Sequence, residues 1–504
     1  MKHSDSRVKN NILFSFVTKF LTLAINIVIP RLFIVTFGSD TNGLISTLSQ
    51  IFTYLALLEA GIGNATVNAL YKPLGVKDYD KCSSTLSQAR VYYRKIGFFY
   101  LGGVVSFSLI YPLFVSTEID YFTVFSLIVI QGFSNWLSYY FCAVYDQLLT
   151  AVGRRYVIDN IIFIVNIFAT LIRIVLIYSG MNVIVVQAFY FAVILLRIPL
   201  THLYCKMKFK WIDFRKRSNE NLLKERHAFV IHELSGTIFS NTDVFVVSIF
   251  CGLSYASVYT VYNLVFSSLT SMINTTNSGL GFVLGEKNNY EDKHYHLLYD
   301  CYSTIYSLVV FVVMTIAAIL IYPFVTLYTK GANDANYMME WLPLLFSIVN
   351  IMSGYRAIAA RLITVSGHAK KTQYRSIVEM IINIVSSIVL VNYLGIYGVL
   401  IGTIIALLYR SNDIIIYANR TILKRTPLIE YKNIFVNILL FMFFYFLFSK
   451  VELQINNYVE FIYVGIFISL IVLIVFFVVS LVINKKQYSH LINIIRKRKG
   501  KNAY

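Results

Sequence analysis

The sequence is short of charge, and of acids above all. Only 14% of its 504 residues are charged, and Asp plus Glu number 25 against 44 Lys plus Arg. A soluble protein of this length needs a polar surface that such a composition cannot supply. The five cysteines, Cys82, Cys142, Cys205, Cys251 and Cys301, form no Cys-x-x-Cys pair. That argues against a metal site or a disulfide framework and leaves them as packing residues. No Gly-x-x-x-x-Gly-Lys-Ser/Thr occurs, so a phosphate-cradling loop, and with it an ATP-driven pump in this chain, is not expected.

What is present is apolar: 57% of the residues, with a mean hydropathy of +0.66. Apolar runs of about 20 residues recur from end to end, each long enough to cross a hydrocarbon layer as a helix. A helix satisfies its own backbone hydrogen bonds, so the fold class is an all-α polytopic membrane bundle. Fourteen spans are expected, near 11–36, 43–68, 96–116, 122–145, 158–179, 183–205, 228–251, 255–284, 298–325, 341–365, 376–394, 397–417, 434–449 and 459–483. Lys2, Arg7 and Lys9 precede the first run as in a signal peptide, but no small-residue cleavage site follows, so it reads as a span.

An even number of spans puts both termini on one side. With this count, 35 of the 44 basic residues fall on that side, only Lys330 and Lys450 on the other, and seven inside spans. Basic loops stay cytoplasmic, which places both termini in the cytoplasm of a cell-membrane protein. The net charge of +19 therefore reflects topology and attraction to anionic membrane lipids, and no nucleic-acid partner is expected.

The halves echo each other. "SLIYPLFV" at 108–115 returns as "ILIYPFVT" at 319–326, and "LLTAVG" at 148–153 as "LITVSG" at 362–367. Gly61-x-Gly63 returns as Gly279-x-Gly281, and Gly180 as Gly395. The shifts cluster, so spans 1–6 and 7–12 are read as two copies of one six-helix unit. Six is even, so the repeat is parallel. The expected organisation is a lobe at 1–205, a basic cytoplasmic linker at 206–227, a second lobe at 228–418, helices 13–14 at 434–483 and a basic tail at 484–504. Two same-way-up bundles suit alternating access better than a scaffold.

Ionisable groups inside spans are costly and usually face an interior or a wet cavity. Lys19, Arg31, Arg173 and Arg356 form a cationic set suited to an anionic substrate, above all a phosphate; the alternative is an internal ion-pair lattice. Glu59 joins the candidate substrate-binding set, a structural ion pair being its other reading. Arg197, Arg361, Arg410 and Asp413 lie at span ends and are read as snorkelling to the interface. Arg31-Leu-Phe-Ile-Val aligns with Asp243-Val-Phe-Val-Val across the repeat, so matching places carry opposite charge. Asp243, Glu379, Asn383 and Thr403 offer hard oxygen ligands for a coupling ion; sodium and a proton shared by the carboxylates both fit. No other cofactor is expected. The Gly-x-Gly pairs are places for close helix approach or tight caps. Asp78-x-Asp80 mimics a glycosyltransferase metal motif, but it reads as a solvated turn in a small loop.

"RLFIVTFGSDTNGLISTL" and "LLEAGIGNAT", followed by "LLTAVGRR" and "LITVSGHAKK", resemble the polysaccharide flippases of the multidrug/oligosaccharidyl-lipid/polysaccharide exporter superfamily. The resemblance covers spans 1–12. It implies a non-enzymatic flippase that moves undecaprenyl-diphosphate-linked oligosaccharide units from the inner to the outer leaflet, with Lys19, Arg31, Arg173 and Arg356 contacting the diphosphate. It also implies a lipid-linked saccharide as partner, alongside other polysaccharide-assembly proteins. The lipid II flippase branch uses acidic and amide residues on spans 7 and 11 for sodium; Asp243, Glu379 and Asn383 occupy similar places, with the order on span 11 reversed. The rival readings are a lipid II flippase proper, a multidrug efflux transporter and a membrane polysaccharide polymerase. A polymerase usually presents a large outer loop, and here the outer loops are short.

Overall fold

The computed structural model describes residues 25–216, 237, 239, 241–286, 292–449, 451, 453 and 455–492; the side chains of 55–61, 275–286 and 293–294 also lie outside the description. The protein is an all-α, multi-pass membrane protein, and no strand occurs among the described residues. Ten described helical stretches, with Val183–Lys208 and Leu342–Val365 each counted as one, are long and apolar enough to cross a membrane. The chain divides into two compact units, Met1–Ser257 and Val258–Tyr504.

The first unit contains α1 (Ile25–Phe37), α2 (Ser39–Gly75), α3 (Tyr79–Phe114), α4 (Tyr121–Ala151), α5 (Arg155–Tyr178), α6 (Val183–Ile194), α7 (Arg197–Lys208) and α8 (Asn241–Phe250). Here α3 packs on α4, α4 on α6 and α5 on α6. Helix α9 (Leu253–Glu286) crosses the division between the units. The second unit continues with α10 (Lys293–Tyr328), α11 (Leu342–Tyr355), α12 (Ala357–Val365), α13 (Ala369–Leu394), α14 (Ile396–Tyr417), a π-helical turn Ala418–Ile422, α15 (Leu428–Ser449) and α16 (Tyr458–Ile483). Its matching neighbours are α10 on α11, α11 on α14 and α13 on α14.

The repeated glycines explain two helix ends. Gly153 and Gly367 follow α4 and α12 with φ of +72° and +75°, a region that glycine enters without a Cβ penalty. Gly153 N–H donates to Thr150 O at 3.1 Å and Arg154 N–H to Leu149 O at 2.7 Å. The copy matches: Gly367 N–H reaches Thr364 O at 3.1 Å and His368 N–H reaches Ile363 O at 3.0 Å. Gly63 lies inside α2 rather than at a cap, and an added Cβ there would sit 3.0 Å from the side-chain amide nitrogen of Gln147 on α4.

Several helices outrun the spans expected from hydropathy. Helix α3 begins at Tyr79, not near 96, because the Asp78 carboxylate accepts the Lys81 N–H at 2.9 Å and caps it. A hydropathy window detects hydrocarbon contact, whereas the cap and backbone bonds decide helix continuity. Asp80 is ion-paired with Lys216, so this acidic pair is capping and bracing rather than a bare turn. The first part of the expected linker is a strap laid on α3. Ser83 Oγ donates to Trp211 O at 3.1 Å, Ser87 Oγ donates to Phe214 O at 2.8 Å, and Trp211 stacks on Tyr79.

Helices α15 and α16 lie against α10. A buried polar cluster fixes α15: Tyr299 donates to Glu430 at 2.9 Å, Asn419 Nδ2 to Glu430 at 2.6 Å, and Arg425 Nε to Asn419 at 3.0 Å. Arg425 also grips Asp300 through both terminal nitrogens. Burial excludes water as a partner, so each of these groups depends on the others.

Candidate functional site

Of the expected cations of the first unit, Arg31 and Arg173 are described, and they differ in setting. Arg173, on α5, is buried at 8% exposure. Its Nη2 donates to Gln187 Oε1 at 3.1 Å. Its guanidinium lies 3.2 Å from the Tyr190 ring centroid and 5.5 Å from that of Phe33. Nε finds no hydrogen-bond partner, and among the described residues no carboxylate pairs with this guanidinium. A buried cation held only by an amide and ring faces keeps donors and positive charge in reserve. The local cause is plain: Gln187 and Tyr190 stand three residues apart on α6, one turn apart on one face, and α6 packs on α5.

Arg31 is half-buried on α1, two residues before Phe33. At about 100° per residue the two side chains leave the helix on opposite sides, so Arg31 and Arg173 do not share that face of α1. Lys19 lies outside the described residues, and Glu59 lies in α2 with its side chain outside the description. Asp243 is buried on α8, next to Thr242, whose hydroxyl meets the Tyr54 hydroxyl at 2.9 Å. Asp243 thus belongs to the first unit, whereas Glu379, Asn383 and Thr403 belong to the second.

In the second unit Arg356 stands where α11 breaks into α12. It is not an open cation: Nη1 donates to Glu379 Oε1 at 2.8 Å. The other Glu379 oxygen faces Arg410 Nε at 3.5 Å. Arg410 also pairs with Asp413, and Asp413 with Arg375. Three guanidiniums and two carboxylates therefore alternate from the α11–α12 break across α13 and α14. Arg410 and Asp413 join this chain instead of reaching for the interface, and Arg197 is likewise paired with Asp146. Each pairing satisfies both charges within a low-dielectric bundle, which snorkelling would leave to water.

One turn along α13 from Glu379, Asn383 is fully buried and donates from Nδ2 to Thr403 Oγ1 on α14 at 2.8 Å. Its carbonyl oxygen has no hydrogen-bond partner. Thr403 donates to Val399 O at 3.2 Å. Asn383 Oδ1, Thr403 Oγ1 and a backbone carbonyl are oxygens of the kind a hard cation takes. Glu379 spends its charge on arginines, and no cluster of three or more His, Cys, Asp or Glu occurs among the described residues. Gly402 permits the approach of α13 and α14, since an added Cβ would lie 2.6 Å from Ser387 N.

Gln187, Tyr190, Arg375 and Ser387 were not singled out from the sequence. The signal was there for Gln187: it is the only amide in the run "VIVVQAFYFAVI", and the cost of polar groups in hydrocarbon applies to amides as well as charges.

No known family model and no curated protein matches the chain. Solved structures do. Lipid II flippase MurJ in an inward closed conformation is similar with a TM-score of 0.65 at 16% identity, over 93% of this chain and 99% of that one. An inward-facing multidrug resistance MATE family transporter of the MOP superfamily gives 0.61 at 15% identity, over 79% and 94%. A MOP superfamily transporter from Pyrococcus furiosus, whose binding pocket is described as of reverse polarity, gives 0.54 at 15% identity, over 81% and 94%. At these identities the likeness is one of fold.

Proposed function

We propose that the protein is a transporter that moves an undecaprenyl-diphosphate-linked saccharide from the inner to the outer leaflet of the cell membrane by alternating access, without covalent chemistry. The observation that carries this reading is Arg173, a buried guanidinium with no carboxylate among the described residues. A phosphate oxygen is the natural complement of such a group. The fold supports the reading, because it is shared with a lipid II flippase and with multidrug transporters. The basic loops support cytoplasmic termini. Arg173 is the proposed diphosphate contact; Arg31, on another face of α1, Lys19 and Glu59 are proposed to meet the substrate elsewhere along its path, while Arg356 acts through its pair with Glu379. The lobes are 1–205 and 228–418, joined by 206–227, with 434–483 as an added helix pair and 484–504 as a basic tail.

Asn383 and Thr403 supply a coupling cation with neutral oxygens. Sodium suits this donor set better than a proton, because neither Asn nor Thr titrates. Such an ion drives transport only through unequal affinity for the inward and outward states. With no carboxylate paired to it among the described residues, buried Arg173 disfavours the multidrug reading for cationic drugs, which a buried cation would repel.

The test is removal of the protein from its host, with lipid-linked saccharides separated by leaflet. The expected result is accumulation on the inner leaflet, restored by the native chain and not by Arg173→Gln at equal membrane abundance. Full restoration by Arg173→Gln would overturn the assignment.

A further inference from the structure

A second cationic feature lies in the first unit, away from Arg173. Arg90 and Arg94 are one turn apart on α3, where like charges repel unless something anionic lies between or beside them. The Arg90 guanidinium rests 4.5 Å from the Phe214 ring centroid, and that of Arg94 rests 5.2 Å from Tyr140. Stacking uses the faces of a guanidinium and leaves its N–H edge to bind. Arg94 Nε is buried without a hydrogen-bond partner. Neither arginine has a carboxylate partner among the described residues; the nearby acid of α4, Asp146, is taken by Arg197.

Arg90 lines a cavity of about 300 Å³ together with Tyr140, Tyr145, His202, Phe214, Phe141, Val144 and Ile198, and Arg94 stands behind its wall residue Tyr140. His202 Nδ1 meets the Tyr145 hydroxyl at 3.0 Å, which steadies the far wall. The lining contains no carboxylate. Strap residue Phe214 forms one wall, held because Ser87 donates to its carbonyl at 2.8 Å. Phe141 of the lining is exposed, and Phe98 on α3 and Leu203 and Met207 on α7 are exposed apolar side chains of the same helices. A phosphate in the cavity would therefore have apolar surface beside it for an attached chain. The basic run Lys206, Lys208 and Lys210 marks this end as the cytoplasmic one by loop charge.

We propose that the Arg90–Arg94 cleft binds the phosphate headgroup of a membrane lipid, with Tyr145, His202 and the strap residue Phe214 shaping the pocket and the lipid chain lying along α3, α4 and α7. Basic pockets between helices at the cytoplasmic surface suit anionic headgroups, since charge and shape act together there. The phosphate has two sources, a bulk phospholipid or a polyprenyl diphosphate. The site is separate from Arg173 and does not depend on the transport reading.

The test is native mass spectrometry of the full chain from neutral detergent. One arm titrates phosphatidylglycerol, a second titrates a prenyl diphosphate, and diacylglycerol is the phosphate-free control. The native chain is expected to retain one phosphate lipid and no diacylglycerol. Arg90→Gln/Arg94→Gln should weaken retention by about tenfold or more, as expected for losing charge-assisted bonds. Lys95→Gln, at an exposed neighbour on the same helix, should change it less than about twofold. Retention confined to phosphatidylglycerol assigns a phospholipid site, and preference for the diphosphate assigns a substrate-type lipid. Should the double variant not stay monodisperse, Phe214→Glu puts a carboxylate against Arg90 and should give the same loss. Equal retention by the native and variant chains in both arms overturns the proposal and leaves the export test of Arg173 untouched.

Discussion

Glu379→Gln is the sharpest probe of the second unit. Glu379 sits between two guanidiniums, at 2.8 Å from Arg356 and 3.5 Å from Arg410, and is 9% exposed. At an effective dielectric near 20, these contacts carry attractions of about 6 and about 5 kcal/mol before desolvation is subtracted. Arg410 keeps Asp413 when Glu379 is neutralised. The loss then falls chiefly on Arg356, whose side chain is 15% exposed. Removing one partner of a buried pair costs about 3–5 kcal/mol, mostly as the penalty on the charge left behind. For a unit of this size that is a fall of about 6–10 °C in melting temperature. Thermal unfolding of the detergent-solubilised chain, followed by loss of monodispersity, reads this directly. The double variant Arg356→Met/Glu379→Met removes both charges and should melt above Glu379→Gln, because no guanidinium is stranded. A Glu379→Gln protein melting within about 2 °C of the native one, or a double variant no more stable than the single, would refute the pairing argument. The same variants address coupling: with Glu379 occupied by arginines, Arg356→Met/Glu379→Met should keep its cation dependence in a transport assay, and Asn383→Leu should lose it.

Other outcomes follow from particular contacts. Gly402→Val would drive side-chain carbon into the backbone of Ser387, 2.6 Å from a Cβ, and should cost about 1–3 kcal/mol or more; Gly102→Ala, with nothing within 4 Å, should be neutral or slightly stabilising in the same melt. Asp300→Asn breaks the two-pronged contact with Arg425 and should speed hydrogen exchange in α15. Asp120 caps α4, and hydrogen bonds from the Thr123 side chain and N–H hold its carboxyl below the usual aspartate range. A depressed folded value stabilises above the unfolded pKa of about 3.9 and is lost as pH falls through the folded value. The melting difference between the native chain and Asp120→Ala should accordingly be present at neutral pH and shrink in acid.

Much of the fold was legible because a bilayer imposes one strong rule, that backbone polar groups be satisfied within the span. Apolar runs and the absent charge determined an all-α, multi-pass protein. The echoes at Gly153 and Gly367 are read as copies of one unit, and the two helix ends there turn with positive φ in the same way. Helix lengths were less legible: Asp78 lets α3 continue through a polar stretch that hydropathy assigned to a loop.

The candidate site was legible as a set of residues and not as a set of partnerships. The cost of charge in hydrocarbon picked out Arg173, Arg356 and Glu379 from their places inside apolar runs, the one-turn spacing from Glu379 added Asn383, and Thr403 was added as a hydroxyl oxygen. Whether a cation is open or neutralised depends on groups within a few ångströms, contributed from distant points in the chain. Only tertiary packing decided that Arg356 is neutralised by Glu379, 23 residues on, while Arg173 rests on Gln187 and the ring of Tyr190. Sequence fixes which charges must be buried, through the price of dehydrating them; the fold fixes which remain available, because Coulomb attraction and hydrogen bonding act over contact distances that one-dimensional spacing does not encode.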